Sequence, residues 1–146
     1  MTADDDVLRS PGYLLMKAGH HIGLELDAAL REVGVSGREL LVLSFVRSHP
    51  GLSQQDLSAC LGLDPTIVVG LLDALEGRGL LRRGKDLTDR RRNVLGVTPE
   101  GVAVHDAATD AARRAEDAFL APLSAAQRTQ LAKALRVMLE PRLSWL

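Results

Sequence analysis

A single cysteine, Cys60, stands among the 146 residues. One thiol cannot close a disulfide within the chain or build a thiolate zinc cluster, and its isolation fits a reducing compartment. Long apolar runs are missing too, since no stretch approaches the ~20 uninterrupted apolar residues of a membrane helix. The N-terminus carries Asp4, Asp5 and Asp6 where an export signal would be basic and then apolar. The expectation from these absences is a cytoplasmic protein with no membrane partner. Neither charge is in excess, with 18 Lys+Arg against 19 Asp+Glu, so any case for a nucleic-acid partner depends on where the charges sit. No Gly-rich phosphate loop, nucleophile motif or suitably placed carboxylate pair is found, so no enzyme activity and no cofactor are expected. Of His20, His21, His49 and His105, only His21 meets a potential co-ligand at i, i+4, namely Glu25. No metal site is expected from that.

What is present reads as one globular domain spanning residues 1–146. Apolar residues make up 46% and charged residues 25%, near the globular average and far from a disordered composition. From about Pro11 to Val33, Leu15, Ala18, Ile22, Leu26, Ala29 and Val33 recur every three or four residues, the period of one helix face. Gly34 ends that helix. Ser36 with Glu39, Ser53 with Asp56 and Ser124 with Gln127 each have capping-box spacing, and Asp64-Pro65 and Thr98-Pro99 are caps followed by a proline suited to the first helical turn. They predict helices over about 37–48, 54–61, 65–77, 99–121 and 125–140. Between the third and fourth of the helices so read lies only a link of about three residues. Leu80–Arg83 and Asn93–Val97 are strand-like runs flanking a polar tip.

Two helices joined by so short a turn have the shape of a helix-turn-helix, and by itself that shape is common. The segment after it is more telling. Arg78, Arg82, Arg83, Lys85, Arg90, Arg91 and Arg92 fall in one hairpin against only Asp86 and Asp89. Adjacent arginines repel one another at a loop tip and are best accommodated beside phosphates or in an electronegative minor groove.

Residues 52–101, LSQQDLSACLGLDPTIVVGLLDALEGRGLLRRGKDLTDRRRNVLGVTPEG, resemble the winged-helix core of the MarR family of bacterial regulators. The likeness is carried by the Leu71–Leu80 stretch, the tip Asp89-Arg90-Arg91 and the closing Thr98-Pro99-Glu100-Gly101. The fold class implied is mainly α with a small β-hairpin wing. Residues 36–99 would form the winged helix-turn-helix lobe, and 11–35 and 100–146 the long dimerisation helices. The resemblance further implies a homodimer on duplex DNA, reading a pseudo-palindrome with half-sites about 10 base pairs apart. Carried over by position, Arg91 is the minor-groove arginine, Asp89 holds it by hydrogen bonding, and Arg90 and Arg92 attract phosphate, as Arg83 and Lys85 do from the same wing. Ser53, Gln54 and Gln55 would bond the DNA backbone.

The outward face of the fourth of these helices, Thr66, Val69, Gly70 and Asp73, departs from the polar and basic residues usual in the family. It offers no arginine for guanine and no amide for adenine. Thr66 can hydrogen-bond, Val69 can touch a thymine methyl, and Gly70 permits close approach. Specificity then rests on the wings and on DNA shape. The alternative is a winged-helix interaction module that binds a protein through this apolar helix. Tyr13, His20, His21 and Arg38 are candidates for a small-molecule pocket resembling those of the family, with a ligand-responsive repressor as the expected function. Cys60, on an apolar face, is expected to be structural, and Trp145 to anchor a terminal tail.

Overall fold

Helix boundaries follow the capping chemistry closely. The computed structural model describes residues 3–143, with side chains from Asp6 onward, so Trp145 lies outside the described residues. The order is α1 (Ala3–Leu8), α2 (Pro11–Val33), α3 (Gly37–Ser48), α4 (Gln54–Leu61), α5 (Pro65–Gly77), β1 (Leu81–Lys85), β2 (Asn93–Val97), α6 (Pro99–Phe119) and α7 (Ala125–Leu139). Ser36, Ser53 and Ser124 each form a full capping box with Glu39, Asp56 and Gln127. The short α1 is an addition to the sequence reading, and Ser10 separates it from α2 by accepting from the Tyr13 N–H.

The hydrophobic pattern buries one main core, where α3 supplies Val42, Leu43 and Val46, α4 supplies Leu57, α5 supplies Val68, Leu72 and Leu75, and the hairpin supplies Leu81 and Leu95. Cys60 packs against this core as a half-buried apolar side chain. A smaller cluster of Leu30, Val35 and Ala108 joins α2 to α6, and Val104 of α6 touches both clusters. The two strands pair antiparallel in the register Leu81↔Val97 to Lys85↔Asn93. On the far side of β2, the Leu95 N–H donates to the Leu52 carbonyl at 2.9 Å, which ties the hairpin to the chain entering α4.

Gly101 fixes the junction between hairpin and α6. A Cβ at that position would lie 1.9 Å from the Leu80 carbonyl oxygen and 2.7 Å from Val97 Cγ1, so the helix start can press on the strand only as glycine. Thr98 completes the join by donating from its hydroxyl to the Gly79 carbonyl at 2.6 Å.

The two ends of the chain are poorly buried. No residue of α7 is buried, and Val7, Leu14, Met16, Leu24 and Val137 each leave more than half their surface exposed. Among the described residues no single helix is long and apolar enough to cross a membrane.

Candidate nucleic-acid interface

Helices α4 and α5 meet at 119°, within the ~90–120° that lets a second helix enter a groove while the first crosses the backbone. Gly62 makes the sharp turn by adopting a left-handed conformation at φ 60°. Asp64 then accepts from the Thr66 N–H at 2.8 Å and starts α5. Val68, Leu72 and Leu75 face inward, which turns Thr66, Gly70 and Asp73 outward, with Val69 half-buried beside them. A Cβ at Gly70 would meet nothing within 4 Å, so this stripe is open.

The wing tip is ordered by its own carboxylates. Asp86 Oδ1 accepts from the Thr88 N–H and hydroxyl, both at 2.7 Å, and from the Asp89 N–H at 3.3 Å. The Thr88 hydroxyl, followed by the Thr88 and Asp89 amides, holds the Asp86 carboxyl below its usual range. Asp89 Oδ1 accepts from the Arg91 N–H at 3.0 Å. Asp89 therefore grips Arg91 through its backbone and leaves the side chain exposed. Backbone bonds from Asp86 N–H to the Arg92 carbonyl and from Arg92 N–H to the Asp89 carbonyl close the tip.

The basic residues of this hairpin fall into two groups. Arg83 Nη2 donates to Asp73 at 2.7 Å and Nη1 pairs with Glu76, so its charge is spent on α5. The Asp73 hydrogen bond, helped by the Glu76 and Asp73 charges, raises this guanidinium's pKa above its usual range, with burial the main opposing effect. Arg92 reaches back to Asp56 on α4, and Arg78 donates to the Gly34 carbonyl at 2.7 Å and to Glu39. Arg82, Lys85, Arg90 and Arg91 are the group that pairs with no carboxylate among the described residues. Arg90 and Arg91 stand exposed at the tip.

A cleft of about 670 Å³ runs between α4 and the wing, bringing together Ser53, Gln54 and Gln55 from one wall and Arg83, Asp89, Arg91 and Arg92 from the other. Seven of the residues singled out from sequence thus line one surface. Ser53 is less free than its position implies, because its hydroxyl donates to Asp56 Oδ2 at 2.6 Å while also capping the helix. That bond, then the Ser53 amide, then Arg92 lower the Asp56 carboxyl below its usual range, with burial opposing.

Tyr13, His20 and His21 lie along α2 and Arg38 on the first turn of α3; Tyr13 is half-buried and the other three are exposed. Lys17 Nζ sits 5.6 Å from the Tyr13 ring centre, and the His20 and His21 rings meet edge-on at 5.4 Å. None of the four lines the cleft at the wing. Sequence reasoning missed a polar joint between the lobe and α6, where the His105 ring lies 3.0 Å from Ser44 Oγ and 2.9 Å from Arg47 Nη1, and Arg47 pairs with Asp106. Its members lie about sixty residues apart in sequence, and no local spacing announces them.

Comparison with known proteins agrees with this geometry. The MarR family model matches residues 33–92, which take in the helix-turn-helix and the wing up to its last arginine. The chain is 36% identical over 128 residues to a putative transcriptional regulatory protein for the hcr operon of Thauera aromatica, covering 82% of this chain and 77% of that protein. An HTH-type transcriptional repressor of Mycobacterium tuberculosis is 30% identical, with 91% of this chain and 94% of that one aligned. Among solved structures, CouR from Rhodococcus jostii bound to p-coumaroyl-CoA superposes with a TM-score of 0.79 at 29% identity, over 91% of this chain and 94% of CouR. A helix-turn-helix, an arginine-tipped wing and relatives of this identity over most of both lengths agree on one conclusion: this chain belongs to the MarR family of DNA-binding transcription regulators.

Proposed function

We propose that the chain acts as a homodimeric repressor that holds a pseudo-palindromic operator and releases it when a small molecule binds. The observation that carries this reading is the division of the wing's arginines, with Arg90 and Arg91 unpaired and projecting from a tip whose backbone is already fixed by Asp86 and Asp89. A cation presented on an ordered hairpin loses little freedom on entering a minor groove, and its charge is not neutralised beforehand. Arg91 enters the groove, Arg90 and Lys85 neutralise phosphates, and Gln54 and Gln55 bond the backbone from the start of α4. Thr66, Val69 and Gly70 face the major groove with one hydroxyl, one methyl surface and one close approach, so the helix reads sequence less than the wing and DNA shape do.

The dimer is supported by α7, a 15-residue helix with no buried residue, and by the exposed apolar side chains of α1 and α2. Isolated helices of that length are marginal in water, and an apolar stripe shared by both chain ends is stabilised when a second copy covers it. Residues 11–35 and 100–146 would provide that interface and 36–99 the DNA-binding lobe, in the reducing cytoplasm where the lone thiol persists.

For release, the CouR complex with p-coumaroyl-CoA supplies the precedent of a related protein holding a small molecule. Here Tyr13, His20, His21 and Arg38 are the proposed contacts, in a pocket completed by the partner copy. An effector that prefers a dimer with differently spaced lobes weakens DNA binding by its differential affinity for the two shapes. Selection of duplexes from a random pool, followed by anisotropy at several salt concentrations, tests the proposal. Recovery of a palindrome and a steep salt slope are expected; no enriched sequence with a flat salt response would overturn it.

A further inference from the structure

Arg92 follows two arginines assigned to DNA and by position belongs with them, yet its side chain turns the other way. It reaches across 36 residues of sequence to Asp56 Oδ2. That same oxygen accepts from the Ser53 N–H at 3.0 Å and from the Ser53 hydroxyl at 2.6 Å, while Ser53 Oγ accepts from the Asp56 N–H at 3.2 Å. One carboxylate oxygen is therefore the meeting point of the helix cap of α4 and the last residue of the wing tip. From these contacts we infer that Asp56 and Arg92 are positioning residues for DNA binding: they set the attitude of the wing against α4 and take no phosphate themselves.

Three features support this assignment over a phosphate role. Near its base the hairpin is joined to this region by the Leu95 N–H bond to the Leu52 carbonyl and by Leu95 sharing the core with Leu57, whereas at the tip Arg92 makes the one side-chain hydrogen bond to α4 among the described residues. The Arg92 N–H and carbonyl are both engaged in closing the tip, with Asp89 and Asp86 respectively. A displacement of this residue is thus passed to Arg91 beside it. Finally, a phosphate brought to Arg92 would also approach the Asp56 carboxylate, which repels it. Arg83 makes the corresponding tether at the root of the wing, through Asp73 and Glu76 to α5, so each helix of the helix-turn-helix holds the hairpin by one arginine.

The two roles give opposite signs for one substitution. With Arg92 as a tether, Asp56→Asn weakens binding of the selected operator as Arg92→Gln does, each by about two- to fivefold, the range of a half-exposed ion pair. The double variant is no weaker than either single one, and the salt slope stays at the parent's value. A phosphate contact predicts instead that Arg92→Gln lowers the salt slope by about 0.9 and that Asp56→Asn tightens binding by removing a repelling charge; that pair of results would overturn the inference.

Hydrogen exchange on the DNA-free protein gives a second readout that does not depend on operator binding. Amides of residues 86–92 should exchange faster in Arg92→Gln than in the parent, and unchanged protection there would also overturn the inference. This assignment builds on the DNA-binding reading, but the two fail separately. A parent that enriches no operator defeats that reading, whereas a selective parent with unchanged wing protection in Arg92→Gln defeats only the tether. Should Asp56→Asn lose the α4 cap and unfold, Arg92→Gln decides the matter by its slope and its exchange.

Discussion

Gly101 is the position where a single added carbon should matter most for the fold. Its missing Cβ would overlap the Leu80 carbonyl oxygen at 1.9 Å, and a backbone atom cannot swing aside as a flexible side chain can. Gly101→Ala should lower stability by about 1–3 kcal/mol, the usual range for overpacking. Urea unfolding followed by circular dichroism measures it, and an unchanged midpoint would mean that α6 does not press on Leu80 and Val97 at the base of the hairpin. The sequence marks this glycine only as the end of a Thr-Pro-Glu-Gly run, because close approach is a property of two elements and not of one. Arginine roles were legible to the same limited degree. Charge clustering identified the hairpin, but the partners of Arg83 and Arg92 lie on α5 and α4, and no one-dimensional spacing shows which cations are already paired.

At the scale of elements, the wing tip is held by a carboxylate and should respond to acid. The folded-state value of Asp86 is depressed, so its contribution is fully present above the ordinary carboxylate pKa and is lost as pH falls through the lower folded value. Protection factors of the Thr88 and Asp89 amides should therefore be flat from pH 8 down to about 4 and decline below that. Asp86→Ala should abolish that protection at every pH. A decline already complete at pH 6, or an Asp86→Ala wing as protected as the parent's, would contradict the hydrogen-bonded tip.

Elements were otherwise the most legible scale. Caps act within three residues, so Ser36-Glu39, Ser53-Asp56, Asp64-Pro65, Thr98-Pro99 and Ser124-Gln127 located five helix starts correctly. The extra helix α1 escaped because six residues with three aspartates carry no apolar period. The outward stripe of α5 was also visible in advance, since Val68, Leu72 and Leu75 fix which side faces the core and leave Thr66, Gly70 and Asp73 opposite.

At the scale of the whole molecule, α1, α2 and α7 leave large apolar side chains exposed, and the proposed second copy would cover them. Light scattering at micromolar concentration should return twice the 15.7 kDa chain mass, and a stable monomer would defeat the two-copy architecture. The energy of DNA binding is proposed to reside mainly in the wing. The wing presents free cations on a fixed hairpin, while the outward face of α5, Thr66, Val69, Gly70 and Asp73, offers no arginine or amide for a bidentate base contact. Arg91→Ala in the folded dimer should therefore cost about 1–3 kcal/mol on the selected operator, against roughly 1 kcal/mol or less for Thr66→Ala. Anisotropy titration of the two variants side by side is the most direct test. Arg91→Ala is expected to be the weaker binder, and an Arg91→Ala protein that held the operator as tightly as the parent would overturn a wing-centred mechanism.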